Sequence, residues 1–128
     1  MKPPVETVRI GKQAREILTK IRRRTGLERW NDISRAAFCR SLANERLPSY
    51  NTTRTETALE IEWKTFSGEL SDELSALFWI RARKDSINCH ENSEVSRYFR
   101  AHVERGISSL QNTKEIRHYM NFITEFDI

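Results

Sequence analysis

Apolar residues recur at three- and four-residue intervals along most of this chain, and that spacing constrains the fold more than any other feature. Val95, Phe99, Val103, Ile107 and Leu110 follow it, as do Ala14, Ile17, Leu18 and Ile21. Side chains so spaced share one face of a 3.6-residue helix, so the chain must bury several helical seams together. A second helix is expected from Glu28 to Ala43, with Trp30, Ile33, Ala37, Phe38 and Leu42 inward, and a third to about Lys84, with Leu70, Leu74, Leu77 and Phe78 inward. The fourth starts at Ser93 and carries the Val95 to Leu110 seam. A fifth opens at Thr113, with Ile116, Tyr119, Met120 and Ile123 on its apolar side. Only four Gly and three Pro in 128 residues fit this mainly α expectation.

Two segments follow a different period. Val8 and Ile10 alternate with Thr7 and Arg9 in Val5 to Ile10, and Leu59, Ile61 and Trp63 alternate with Glu60, Glu62 and Lys64. Both read as short strands with one face outward. Thr25-Gly26 supplies a glycine stop for the first helix, Ser67 or Ser71 a cap for the third, and Ser93 a cap for the fourth. Arg46 to Arg54 reads as a connector, and Asp85 to Asn92 as a break. The fold class is therefore mainly α, with a short N-terminal strand, then helices, and a short second strand. The order strand, helix, helix over 5–43 is ribbon-helix-helix-like, a topology in which two chains pair their strands. A six-residue strand is unstable alone, so this topology demands at least a dimer. The length suits one domain, 1–128, made of a basic strand-helix-helix part (5–44) and a helical remainder (55–128).

Charge divides the chain. Up to Arg54 there are 13 Lys and Arg against 5 Asp and Glu, a net +8; beyond it 9 stand against 13, a net −4. Summed charge steers partners, and the basic half suits a polyanion such as DNA. At 100° per residue, Lys12, Arg15, Thr19, Arg22 and Arg23 fall opposite the apolar seam of the first helix, with Lys20 and Arg24 flanking and Glu16 the one acid. The DNA-binding candidates are Lys12, Arg15, Lys20, Arg22, Arg23 and Arg24. Each would displace counterions from a phosphate, and the arginines suit bidentate phosphate contact. The competing interpretation is a solvated helix face.

Catalytic constellations are not apparent. Cys89-His90 are adjacent, so their side chains diverge, and no CxxC or HxxxH pattern completes a metal site. Cys39 sits among Ala36, Ala37, Phe38 and Leu42, where a buried thiol is ordinary. His102 is expected to pack with a hydrogen-bonded ring and His118 to lie on a helix surface. Glu60 and Glu62 have no third ligand in view. Trp30, Trp63 and Trp79 offer stacking surfaces for bases but lie in apolar runs, which favours core or interface packing. No catalytic group, metal or cofactor is therefore expected. The absence of a long apolar run and of a signal-like N-terminus points to a cytoplasmic chain with both cysteines as free thiols.

Four blocks in order carry a resemblance. Val8-Arg9-Ile10-Gly11-Lys12-Gln13-Ala14, Arg22-Arg23-Arg24-Thr25-Gly26-Leu27-Glu28-Arg29-Trp30-Asn31, Ala37-Phe38-Cys39-Arg40-Ser41-Leu42-Ala43 and Trp63-Lys64-Thr65-Phe66-Ser67-Gly68-Glu69 resemble the DNA sulfur-modification protein DndE family. Arg105-Gly106-Ile107 is similar to that family's late helix, and the resemblance covers about 5–110. It implies a non-catalytic member of the bacterial DNA phosphorothioation system, binding nicked duplex DNA as a homotetramer alongside other DNA sulfur-modification proteins. The family's surface lysines correspond to Lys12 and Lys20, while the stretch before Thr25-Gly26 is arginine throughout. Gly11 stands where serine is common, which removes a side-chain cap from the first helix. The tail from Asn112 has no counterpart in the resemblance.

Two other functions compete with this one. A ribbon-helix-helix transcriptional regulator would read bases in the major groove through Thr7 and Arg9. A nuclease or sulfur-transfer enzyme would depend on a metal or on Cys39 or Cys89.

Overall fold

A computed structural model describes residues 1–26, 29–50 and 56–111. Strand β1 (Thr7–Ile10) leads into helices α1 (Lys12–Thr25) and α2 (Trp30–Ala43), then β2 (Leu59–Glu62), a short α3 (Trp63–Ser67), α4 (Ser71–Lys84) and α5 (Asn92–Leu110). A 3-10 turn, Gly68–Leu70, joins α3 to α4. The fifth helix expected from Thr113, His118 and part of the connector lie outside the described residues.

The strand β1 finds its partner within the same chain. β1 and β2 pair antiparallel with Val8 opposite Ile61 and Arg9 opposite Glu60. The ladder is prolonged by Ala58 N–H to the Ile10 carbonyl (2.8 Å) and Trp63 N–H to the Glu6 carbonyl (2.9 Å). Val8, Ile10 and Ile61 face the core, while Arg9, Glu60 and Glu62 face outward. The requirement for a second chain to pair this strand is thereby removed. The alternation expected through Trp63 stops one residue earlier: Trp63 opens α3, its ring is buried, and its Nε1 donates to Ser71 Oγ at 3.0 Å.

Helices α2 and α5 make the largest contact in the molecule. They approach closely because Gly106 faces Ala37, and a Cβ at Gly106 would stand 1.8 Å from the Ala37 carbonyl oxygen. Around this crossing Phe38, Phe66, Phe78 and Phe99 form an aromatic cluster, with Phe38 and Phe99 centroids 4.9 Å apart. Trp63 and Tyr98 extend it on either side. The expected seam of α5 is buried throughout, from Val95 to Leu110. In α2, Ile33, Ala37 and Phe38 are buried, and Trp30 and Leu42 are half-buried.

The inward face of α4 differs from the expected one. Leu74 and Phe78 are buried, but so are Ser75, Arg81 and Ala82, while Leu70 and Leu77 are exposed. The helix is rotated because Arg81 buries its guanidinium against the end of α2. There it donates from Nη1 to the carbonyls of Leu42 and Asn44, from Nη2 to that of Arg46 and from Nε to Asp85 Oδ2, all at 2.8–2.9 Å. Arg105 adds bonds to the Ser41, Asn44 and Arg46 carbonyls. Two cations thus satisfy the carbonyls left unpaired at a helix C-terminus, where the helix dipole also favours positive charge. The expected serine caps are absent from this arrangement: Leu70 and Glu91 occupy the N-cap positions of α4 and α5, and Ser93 Oγ donates to Glu91 Oε1.

Candidate nucleic-acid interface

Helix α1 is built as its sequence phase dictates. Ala14, Ile17, Leu18 and Ile21 are buried, and the helix ends at Gly26, whose φ of 72° is left-handed and whose N–H returns to the Arg22 carbonyl at 2.9 Å. With its seam fixed against the core, the opposite face must look outward. Lys12, Arg15, Lys20 and Arg23 are exposed there, and among the described residues none of the four has an ion-pair partner. From Lys12 to Arg23 this stripe runs about 16 Å along the helix axis.

The remaining two candidates are held by the fold. The Arg22 guanidinium lies 4.2 Å from the centroid of the half-buried Trp30 ring, a cation–π contact that ties the end of α1 to the start of α2. Arg24 donates from Nη2 to the Gln111 carbonyl at the end of α5, at 2.6 Å. All three arginines also sit in the last turn of α1, where positive charge is favoured by the helix dipole whether or not a ligand is present. The run Arg22-Arg23-Arg24 therefore divides into one outward cation and two that also brace neighbouring helices.

The other end of α1 shows where part of the acidic half goes. Gly11 offers no side-chain cap, but Glu104 Oε1 accepts the Gly11 N–H at 2.9 Å and Glu56 Oε1 accepts the Lys12 N–H at 3.3 Å. Arg100 holds this corner, donating from Nε to Glu104 Oε1 at 3.0 Å and from Nη2 to the Glu56 carbonyl. A groove of about 710 Å³ opens here, lined in part by Lys12, Glu16, Glu56, Arg100 and Glu104. The carboxylates already on the helix N–H groups leave those backbone donors unavailable to a phosphate, so any contact at this end falls to the Lys12 side chain. Glu60 likewise stands 3.4 Å from Arg9 Nε, on the exposed face of the sheet. The charge division seen along the sequence is thus partly undone in space, and the cations on the outward face of α1 are among those that escape.

The remaining chemistry-bearing residues have structural surroundings. Arg105 Nε donates to Ser41 Oγ at 2.8 Å, and the same hydroxyl is hydrogen-bonded to His102 Nδ1, also at 2.8 Å. His102 Nε2 is buried without a partner among the described residues. Burial first, then the Arg105 and Arg81 charges, lower the His102 pKa to about 3. Tyr98 donates to Asp85 Oδ2 at 2.5 Å, and burial and that carboxylate push its phenol far upward. The Cys39 thiol is raised by burial, against the opposing pull of Arg35, which is the reverse of an activated thiol. Cys89 Sγ donates to the Ile87 carbonyl at 3.4 Å within the loop before α5. Trp79 Nε1 donates to the Lys2 carbonyl at 2.8 Å, and its half-buried ring packs edge-on to Phe78. No group of three potential metal ligands occurs among the described residues, and none of their helices is long and apolar enough to cross a membrane.

Of the polar cluster of Arg81, Asp85, Tyr98, His102, Arg105 and Ser41, sequence reasoning reached only the packed, hydrogen-bonded ring of His102 and missed the rest. A signal existed, since Arg81 and Asp85 continue the Leu74 and Phe78 spacing into positions that should be apolar. The capping of α1 by Glu56 and Glu104 had no local signal, because those residues lie 44 and 93 positions away in the chain.

Comparison with known proteins places this architecture. No curated protein sequence matches the chain significantly. The crystal structure of DndE from Escherichia coli B7A, described as involved in DNA phosphorothioation modification, shares the fold. It superposes with a TM-score of 0.68 at 24% identity, over 86% of this chain and 98% of that one. The family model for DNA sulphur modification protein DndE matches residues 7–118. With the model spanning most of the sequence and the fold shared with a solved member, the chain belongs to the DndE family of DNA sulphur modification proteins.

Proposed function

We propose that this protein is a non-catalytic, cytoplasmic, DNA-binding subunit of a bacterial phosphorothioation machinery, and that it engages duplex DNA through the outward face of α1. The observation that carries the proposal is the set of four exposed cations, Lys12, Arg15, Lys20 and Arg23, on one face of a helix whose opposite face is locked into the core. Arg22 and Arg24 flank this face, with part of their donor capacity committed to Trp30 and Gln111. Such a stripe neutralises phosphates without reading bases, which suits a protein that must find backbone chemistry rather than sequence. Nicked duplex is the preferred ligand and a homotetramer the working form, both carried over from the family. Catalysis then belongs to other DNA sulfur-modification proteins that it partners. Family membership favours this accessory role over a sequence-reading regulator, as does the engagement of Arg9 with Glu60.

Titration of intact and singly nicked duplexes of one sequence, at two salt concentrations, tests the proposal. Tighter binding to the nicked form, weakening with salt for both, is the expected result. Equal binding to both forms removes the nick preference, and no binding at low salt removes the DNA role. Selection from random duplexes should return no reproducible motif; a palindromic one would indicate a regulator instead.

A further inference from the structure

We infer that the outward stripe of α4 is a docking surface for a second copy of this chain, laid antiparallel across it. The inference rests on and deepens the oligomeric form proposed above, by naming the face that builds it. Rotation of α4 by the burial of Arg81 leaves Leu77 52% and Ile80 67% exposed, one helical step apart on the same side. Glu73 and Lys84, both exposed, continue their line. The positions 73, 77, 80 and 84 are spaced four, three and four, the seam spacing with which two helices interlock knobs into holes. On a helix solvated for its own sake, the centre of that seam would be polar.

The order of residue types within the stripe names the occupant. Acid, apolar, apolar, base reads as its own charge complement when reversed about the point midway between Leu77 and Ile80. A two-fold axis through that point sets Glu73 of each copy against Lys84 of the other and brings the Leu77 and Ile80 pairs together. Asp72 and Arg83, exposed on the flank, likewise set an acid toward one end and a base toward the other, centred one residue earlier. A parallel pairing would instead stack Glu73 on Glu73 and Lys84 on Lys84, a like-charge arrangement that selects against it. A two-fold contact uses one patch on both copies and therefore needs a patch that complements itself. An unrelated partner imposes no such symmetry. Each copy contributes one helix of 14 residues, about 21 Å long, so the interface is small and association is concentration-dependent.

Sedimentation equilibrium of the full chain over a range of concentrations tests this, using Glu73→Lys, Lys84→Glu and the double exchange. Each single exchange sets two like-charge pairs across the axis and should move the association midpoint roughly tenfold or more to higher concentration. The double exchange restores both pairs in swapped order and should return the midpoint close to that of the parent. All of these side chains are exposed, so unchanged thermal melting separates lost association from lost folding. Ile80→Glu should abolish association through this face with the fold retained. A parent chain that associates equally well with either single exchange overturns the α4 seam and leaves the oligomer itself standing. A parent that is monomeric at every concentration overturns both.

Discussion

His102 is built into the core of the molecule rather than set at its surface. Its ring is fully buried, shares a hydrogen bond with Ser41, and has its pKa lowered to about 3 by burial and two nearby arginines. A histidine whose native pKa lies below its unfolded value lets the unfolded chain bind the extra proton. Stability from this group is therefore complete above about pH 6.5 and is lost as pH falls toward 3. Between pH 7 and pH 5 the loss should be on the order of 2 kcal/mol in urea unfolding, and His102→Gln should remove that increment. An identical pH slope in parent and variant would show that the ring is solvated. Arg81, only 8% exposed, carries a larger load, since its removal takes a donor from four carbonyl and carboxylate acceptors at once and leaves Asp85 without its ion-pair partner. Arg81→Met should cost about 3–5 kcal/mol in the same measurement, whereas Arg97→Ala, at an exposed position of α5, should cost no more than about 0.5 kcal/mol.

At the scale of elements, the helices were legible in the sequence wherever one amphipathic period decided the outcome. The phase of α1 follows from Ala14, Ile17, Leu18 and Ile21, and that of α5 from Val95 to Leu110, because apolar burial alone orients them. The phase of α4 was misjudged because a buried arginine competed with two leucines, and its guanidinium has acceptors only in the folded chain. Pairing of β1 with β2 was equally hidden: both strands were visible, but a period-two pattern does not state its partner. Gly106 stands in the sequence as part of a motif, while its reason lies in the α2–α5 crossing. Gly106→Ala should lower stability by at least about 2–3 kcal/mol, seen as a reduced denaturation midpoint with an unchanged slope, because a methyl there meets backbone that cannot yield locally. A cost within about 0.5 kcal/mol would mean that the two helices are less closely apposed.

For the whole molecule, the candidate site was legible as a charge count and a helix phase, and the fold then redistributed it. Glu56, Glu60 and Glu104 come back from the acidic half to the start of α1 and to Arg9, while Arg22 and Arg24 brace other helices. Lys12, Arg15, Lys20 and Arg23 remain as the face proposed for DNA, and α4 carries the stripe proposed for self-association. The central claim is that these four cations meet phosphates, and the salt dependence of duplex binding tests it most directly. Each phosphate contact contributes about −0.9 to the slope of log K against log salt, so replacing Lys12 and Arg23 by Ala should make that slope shallower by about 1.8 for each protomer engaged. Replacing the exposed cations Arg83 and Lys84 of α4 should leave it unchanged once the oligomeric state is matched. A slope indifferent to Lys12 and Arg23 would contradict the account, and a slope that follows the α4 cations instead would move the interface to another face of the molecule.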